Sequence, residues 1–79
     1  MDEEKHPFLL WLERSGHSQR WAAEQGDFSG GYLSDVLSGK ATPSVPFCAE
    51  LATISDGKVP AVKILRWHWA RKHGRNRPL

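Results

Sequence analysis

The chain has 79 residues, a formal net charge of +2 and a single cysteine. A chain of this length forms one small domain and buries only about 60 % of the surface that its unfolded form exposes, which argues against a deep enzyme cleft. Cys48 has no second cysteine with which to form an internal disulfide, as is typical of a reducing, cytoplasmic setting. The N-terminus is acidic where a signal peptide is basic, and no apolar run reaches the roughly 18 residues of a membrane span. We therefore expect one soluble domain over residues 1–79, in the cytoplasm and without contact to a membrane.

Charge is distributed unevenly along the chain. The first 56 residues contain all nine acidic residues and four Lys or Arg, a net charge of −5. Residues 57–79 contain seven Lys or Arg and no acid, a net charge of +7. This asymmetry predicts that the C-terminal segment binds a polyanion or an acidic partner, and the alternative is a solvated, frayed tail.

The first two predicted helices lie between residues 7 and 26. Pro7 suits a first helical position, and Gly16 is well placed to end the helix. Its apolar face consists of Phe8, Leu9, Trp11 and Leu12. Ser18 is a good N-cap for a short second helix that ends at Gly26.

The third and fourth predicted helices complete a core over residues 7–57. Ser29 caps the third helix, and Gly39 offers the left-handed position that closes it. Its inward side chains are Leu33, Val36 and Leu37. Ser44 caps a fourth helix that ends at Asp56-Gly57. Its inward side chains are Phe47, Cys48, Leu51 and Ile54.

The segment 59–73 is compatible with two periodicities. A helix places Val62, Leu65 and Trp69 together, whereas a strand places Leu65, Trp67 and Trp69 on one side. The length of the segment and its Ala, Lys, Leu and Arg content favour the helix. We therefore predict an all-α, compact domain of four to five helices, with a basic C-terminal helix over 59–73 and a frayed tail over 74–79.

Residues 18–40 have the pattern of a helix-turn-helix. Ala23 is the small residue needed where the two helices cross, and Phe28 is the apolar residue that locks the turn. With Ser18-Gln19 at its start and Tyr32-Leu33-Ser34 before Leu37-Ser38-Gly39-Lys40, the motif resembles the Cro and lambda-repressor family of phage and bacterial regulators. The resemblance covers residues 7 to about 57, and it implies a lambda-repressor-like fold.

The resemblance also implies a DNA-binding domain that acts as a homodimer on a pseudo-palindromic operator. At matching positions, Gln19 is expected to bind a phosphate, with Ser18 and Arg20 beside it, and residues Ser29 to Asp35 are expected to face the major groove. The positions that contact bases in the family correspond here to Gly30, Gly31, Ser34 and Asp35.

The chain departs from the family pattern at its base-reading positions and in its turn. Gly30 and Gly31 have no side chain with which to bond base edges, so we expect them to allow close approach of the helix to DNA. Tyr32 is then expected to touch a thymine methyl or a sugar, and Asp35 either accepts from a cytosine amino group or faces solvent. In the turn, Asp27 stands where the family usually has glycine, and Gly26 where it has an apolar residue; aspartate tolerates the left-handed conformation.

An acidic body binds DNA poorly unless the basic end contributes, because affinity depends largely on neutralised phosphates. The residues that we expect to contact phosphates are Arg20, Lys40, Arg66, Arg71, Lys72, Arg75 and Arg77. The predicted function is sequence-specific DNA binding by a Cro-like phage or prophage repressor in the bacterial cytoplasm. The main alternative is a protein-binding module on the same fold, such as an antitoxin-like or inhibitory partner with weak nonspecific DNA binding. A nonspecific architectural protein is the third possibility.

The aromatic and metal-ligating side chains suggest further roles. Trp11 and Trp21 are expected to be in the core or half-buried, whereas Trp67 and Trp69 either cover the core or, as we prefer, form a dimer contact. The chain has no zinc-binding spacing, and its potential ligands lie on different predicted elements: His6, His17, Cys48, His68 and His73. No nucleophile motif or phosphate-binding loop is present. We therefore expect no metal, no cofactor and no catalysis.

Overall fold

A computed structural model describes residues 5–73 and contains five helices within that range. They are α1 (Pro7–Ser15), α2 (Gln19–Gly26), α3 (Gly30–Ser38), α4 (Val45–Ile54) and α5 (Ala61–His73). The all-α prediction is confirmed, and the segment predicted over 59–73 is a helix and not a strand, although it begins at Ala61. None of the described helices has the length and apolar character needed to cross a bilayer.

Side-chain caps determine where the helices begin. Ser18, Ser29 and Ser44 cap α2, α3 and α4, as predicted, and each Oγ accepts a hydrogen bond from the first turn. The donors are the backbone N–H groups of Trp21, of Gly31 and Tyr32, and of Phe47. The cap of α1 is His6, whose Nδ1 accepts from the N–H of Phe8 at 3.0 Å.

The predicted ends of the first four helices agree with the structure. Gly16 and Gly39 close α1 and α3 in the left-handed conformation, and Asp27 closes α2 in the same region with a φ of 58°. The last residue of α4 is Ile54, and the chain leaves the helix at Asp56-Gly57, as predicted: both residues have a positive φ, and the N–H of Gly57 donates to the carbonyl of Ala52 at 2.8 Å. Ser55 supports this turn, because its Oγ donates to the carbonyl of Ala52 at 2.9 Å and accepts from the N–H of Val59 at 2.9 Å.

The core lies where α4 meets α2 and α5, and where α5 meets α1. Most of the predicted inward residues are buried there, and Phe47 and Ile54 pack partly buried against them. The buried apolar side chains of this cluster are Phe8, Leu12, Ala22, Ala23, Leu33, Leu37, Cys48, Leu51, Val59 and Ile64. Trp11 and Trp21 are half-buried at its margin, in line with the prediction.

The predicted inward face of α5 is confirmed for Leu65, which packs partly buried against the core, and is wrong for Val62 and Trp69. Val62 and Trp69 are 58 % and 50 % exposed, whereas Ile64 and His68 are buried. The inward face therefore contains a histidine that periodicity counts as polar. His68 is buried because a second buried histidine, His6, lies within hydrogen-bond distance of it.

Candidate nucleic-acid interface

The α2–α3 unit is held together by its turn. Ala23 is 7 % exposed where α2 meets α3, consistent with a small residue at the crossing. The ring of Phe28 lies over Gly26, so that a Cβ at residue 26 would overlap its Cε2. Phe28 is anchored in turn by an edge-on contact with Phe47 of α4, with ring centroids 4.8 Å apart. Phe28 thus fills the space that an apolar side chain at residue 26 would occupy.

The structure brings the predicted base-reading residues together on the solvent side of α3. Leu33, Val36 and Leu37 are buried, so the rest of the helix faces outward. The predicted residues that are exposed there are Gly30, Gly31, Tyr32, Ser34 and Asp35. The Tyr32 ring is 38 % exposed and packs edge-on against Phe47 at 4.9 Å, which restrains its orientation. We call this surface the α3 face.

Neither backbone conformation nor packing requires glycine at the start of α3. Among the glycines that the structure describes, those with positive φ are Gly16, Gly39 and Gly57, and not Gly30 or Gly31. A Cβ at Gly30 would meet nothing within 4 Å, and one at Gly31 would meet only the Oγ of Ser29, at 3.5 Å. Both residues leave open space beside the helix N-terminus.

The charges of the motif itself do not favour a polyanion. Residues 18–40 contain two Lys or Arg and three acidic residues. Nε of Arg20 lies 3.6 Å from a carboxylate oxygen of Glu24, one turn along α2, and both side chains are exposed. Gln19, the predicted phosphate ligand, is half-buried beside it. Most of the attraction for phosphates must therefore come from residues outside the motif.

Arg71 brings the basic helix α5 to the C-terminal end of α3. A Cβ at Gly39 would lie 2.6 Å from Nε of Arg71, and the Arg71 guanidinium stacks over the Trp67 ring at 4.7 Å. Lys72 lines the same open cavity of about 420 Å³ beside Gly39. Lys40 follows Gly39 directly and is exposed. We call Lys40, Arg71 and Lys72 the basic edge.

The other predicted phosphate ligands are not part of this edge. Arg66 lines a separate groove between α1 and α5, on another side of the helix. Arg75 and Arg77 lie outside the described residues. The sequence therefore identified the basic residues, but only the structure separates them into two surfaces.

No protein-family model matches this chain, and neither a curated protein nor a solved structure matches it. The resemblance to the Cro and lambda-repressor family therefore depends on the residues of the motif alone. A functional assignment has to come from the chemistry of the α3 face and the basic edge.

A buried histidine pair fixes α5 relative to α1. Nε2 of His6 lies 3.1 Å from Nε2 of His68, and the two rings are 0 % and 6 % exposed. Burial, together with the neighbouring His68, lowers the pKa of His6 to about 3. Burial and the positive charge of Arg71 lower the pKa of His68. Both rings are consequently neutral at pH 7, and the pair positions the end of α5 that carries the basic edge.

The two C-terminal tryptophans differ in their surroundings. Trp67 is half-buried and contacts the ring of His6 at a centroid distance of 4.7 Å, in addition to Arg71. Trp69 is half exposed. Trp67 therefore belongs to the packing of its own chain, and a dimer contact through Trp69 stays a prediction.

Metal-ligating side chains are dispersed over the described part of the chain, where no group of three or more His, Cys, Asp and Glu could hold a metal ion. Cys48 is fully buried, and burial raises the pKa of its thiol. Its side chain contributes to the core of the domain.

Proposed function

We propose that the protein is a sequence-specific, double-stranded DNA-binding regulator. In this proposal the α3 face enters the major groove and the basic edge binds the phosphate backbone. The main supporting observation is the open N-terminus of α3, which begins with two exposed glycines. Neither the backbone conformation nor the packing of the chain requires glycine at these two positions. The other features of the interface are consistent with that use.

Glycine at the start of α3 has a cost and an advantage. Within a helix it destabilises by about 0.5–1 kcal/mol relative to alanine, because the unfolded chain has more freedom to lose. Without Cβ atoms, a DNA backbone is able to approach the first turn closely. The amide of Gly30 is at the first helical position, which has no intrahelical acceptor, and the helix dipole favours a phosphate there. Tyr32 and Ser34 are then placed to contact the groove beside it.

The basic edge supplies the attraction that the motif lacks. Helix α5 contains four Lys or Arg and no acidic residue. Arg71 is held against the end of α3 by its stacking on Trp67, so its guanidinium is positioned before any ligand arrives. Phosphate contacts of this kind fix the register of a protein on the duplex, while groove contacts specify the sequence.

A homodimer on a pseudo-palindromic operator belongs to the same proposal. The half-exposed indole of Trp69 offers apolar area for such a contact. A dimer also doubles the number of phosphates bound, which compensates for a motif with few cations of its own.

The acidic residues near the α3 face favour a second candidate, a protein-binding module with only weak, nonspecific DNA binding. Asp35 is exposed on that face, and Glu24 and Asp27 line an open cavity together with Gly30. Carboxylates at these places repel phosphates and would suit a basic protein surface.

Selection of bound duplexes from a random pool, with the full chain, distinguishes the two candidates. A regulator enriches one site, which is palindromic if the protein binds as a dimer, and it binds that site at least about a thousandfold more tightly than random duplex. Absence of any enriched site, with binding that disappears at moderate salt, would contradict the regulator and favour the protein-binding module. The variant Asp35→Asn tests the face directly: a regulator that uses Asp35 changes its preferred site, whereas a solvent-facing Asp35 leaves the site unchanged.

A further inference from the structure

A groove between α1 and α5 forms a second candidate binding surface, separate from the DNA interface. Its volume is about 520 Å³, and it is lined by the start and one side of α1, the segment before α5, and α5 itself. None of its lining residues belongs to α2, α3 or the basic edge. We propose that this α1–α5 groove binds an acidic segment of a partner protein, which inserts a large apolar side chain into it. The proposal goes beyond DNA binding and does not depend on it.

The floor of the groove is apolar. It is formed by Pro7, Leu10, Trp11, Val59 and Trp67. Val59 is buried, while Leu10 and both indoles are half-buried and keep part of their surface open to the groove. The indoles are braced from behind, because Trp11 contacts the ring of Phe8 at 5.6 Å and Trp67 contacts that of His6 at 4.7 Å. A braced aromatic floor is typical of the residues that contribute most to protein–protein affinity.

The rim of the groove is basic. Its charged residues are Lys5, Arg14, Lys58, Lys63 and Arg66, all of them exposed. Lys5 is paired with Glu13 at 3.2 Å, whereas the other four form no ion pair with any described residue. The unpaired charges come from α1, the α4–α5 loop and α5, so they surround the floor and do not form a single stripe.

Charge complementarity and the floor together identify the occupant. An apolar centre with a charged rim is the usual anatomy of a protein interface, and an acidic partner is the one that the basic rim attracts. Single-stranded nucleic acid stacks successive bases on open aromatic faces, but only two floor residues are aromatic, and the Arg71 guanidinium already lies over the ring of one of them, Trp67, at 4.7 Å. A second copy of the chain that docked through its own groove would bring two basic rims together, and their like charges would repel each other.

The binding test uses the full-length protein and a short fluorescein-labelled peptide of Asp and Glu that carries Leu and Phe at positions i, i+3, i+4 and i+7. Fluorescence anisotropy at moderate salt should show saturable binding. A peptide with Ser in place of Leu and Phe keeps the charge, and one with Lys in place of the acids keeps the apolar residues. We expect both to bind at least about tenfold more weakly. Equal binding of the Ser peptide would overturn the insertion of an apolar side chain.

Two matched double variants locate the site. Lys63→Glu with Arg66→Glu reverses two rim charges, and Lys40→Glu with Lys72→Glu makes the same charge change at the basic edge. All four side chains are exposed, so both variants should fold. We expect the rim variant to weaken peptide binding by at least about tenfold and the edge variant by less than about threefold, because exposed charges are screened over about 10 Å. Equal losses would show nonspecific attraction and overturn the proposal.

The indole N–H resonances provide an independent readout. Addition of the peptide should shift the signals of Trp11 and Trp67 and leave that of Trp69, which does not line the groove. Shifts of Trp11 and Trp67 with a single-stranded oligothymidine that displaces the peptide would assign the groove to nucleic acid instead. A dimer of the free protein that dissociates in the rim variant would assign it to a second copy, and either result would overturn the proposal. Selection of bound duplexes from a random pool, repeated with the rim variant, tests the DNA interface independently of peptide binding.

Discussion

Nε2 of His6 lies 3.1 Å from Nε2 of His68, and this short contact determines which nitrogen of each ring carries the proton. The N–H of Phe8 donates to Nδ1 of His6, so the proton of neutral His6 must be on Nε2. His6 therefore donates to His68, whose own proton is on Nδ1. A second proton on either ring disrupts this arrangement. On Nδ1 of His6 it removes the acceptor that caps α1, and on Nε2 of His68 it leaves two N–H donors facing each other.

The histidine pair predicts a loss of stability in mild acid. The pKa of His6 is lowered from 6.5 to about 3, so between these values the unfolded chain binds a proton that the folded chain does not. The stabilisation is therefore fully present above pH 6.5 and is lost as the pH falls towards 3. We expect the free energy of unfolding to fall by about 1.4 kcal/mol per pH unit below pH 6, and more where His68 adds a second proton. Urea unfolding at a series of pH values measures this slope.

Two histidine variants test the origin of that slope. His6→Asn keeps a side-chain acceptor for the α1 cap but does not titrate, so it should reduce the slope by about one proton. His68→Asn removes the other buried ring, whose pKa burial also lowers, and should likewise reduce the slope. An unaltered slope in His6→Asn would show that the acid sensitivity arises elsewhere.

Ser55 is expected to be the serine most sensitive to substitution. It is fully buried, and its Oγ accepts the N–H of Val59 at 2.9 Å in the loop that leads into α5. Ser55→Ala leaves that amide buried without a partner, so we expect a loss of about 1–3 kcal/mol in the free energy of unfolding. Ser38→Ala is the matched control, because its exposed Oγ only donates to a carbonyl of its own helix. Similar losses in both variants would contradict the role of the buried bond.

The fold was largely predictable because its signals are local. Serine caps, a left-handed glycine and apolar residues at helical spacing each act within one or two turns, and they located α2 and α3. The face of α5 was not predictable, since the burial of His68 depends on His6, 62 residues earlier in the chain. The same contact made a histidine the cap of α1, a role for which sequence statistics favour Ser, Thr, Asp and Asn.

The glycines of the α2–α3 unit are expected to respond in opposite ways to alanine. A Cβ at residue 26 overlaps the Phe28 ring, so Gly26→Ala should displace that ring and destabilise the domain by about 1–3 kcal/mol. A Cβ at residue 30 meets nothing, so Gly30→Ala should be neutral or stabilise by up to about 1 kcal/mol. Thermal unfolding of both variants measures the difference.

Duplex binding by variants of Gly30 separates the effect of the substitution on stability from its effect on function. Gly30→Ala, and more strongly Gly30→Gln, should weaken binding to the selected site although the fold is intact, because the side chain occupies the space that the DNA backbone needs. Unchanged affinity and sequence preference in Gly30→Gln would remove the support for close approach at the start of α3.

The candidate site was predictable only in part, for a related reason. Periodicity identified the residues of the α3 face, because three buried residues of one helix determine which others face outward. The grouping of the basic residues depends on how α5 packs across the domain. Arg66 and Arg71 are five residues apart in sequence, yet one lines the α1–α5 groove and the other lies against Gly39.

The separation of Arg66 from Arg71 leads to a prediction about salt dependence. Each phosphate contact contributes about 0.9 to the slope of log affinity against log salt. Arg71→Gln with Lys72→Gln should therefore reduce the slope by nearly two units, since both residues belong to the basic edge beside α3. Lys63→Gln with Arg66→Gln removes the same charge from the same helix, but on the α1–α5 groove, and should alter the slope by much less than one unit. Titrations of the selected duplex between about 50 and 200 mM salt measure both. Equal reductions would mean that DNA contacts α5 on both sides, and that the basic edge has no special role.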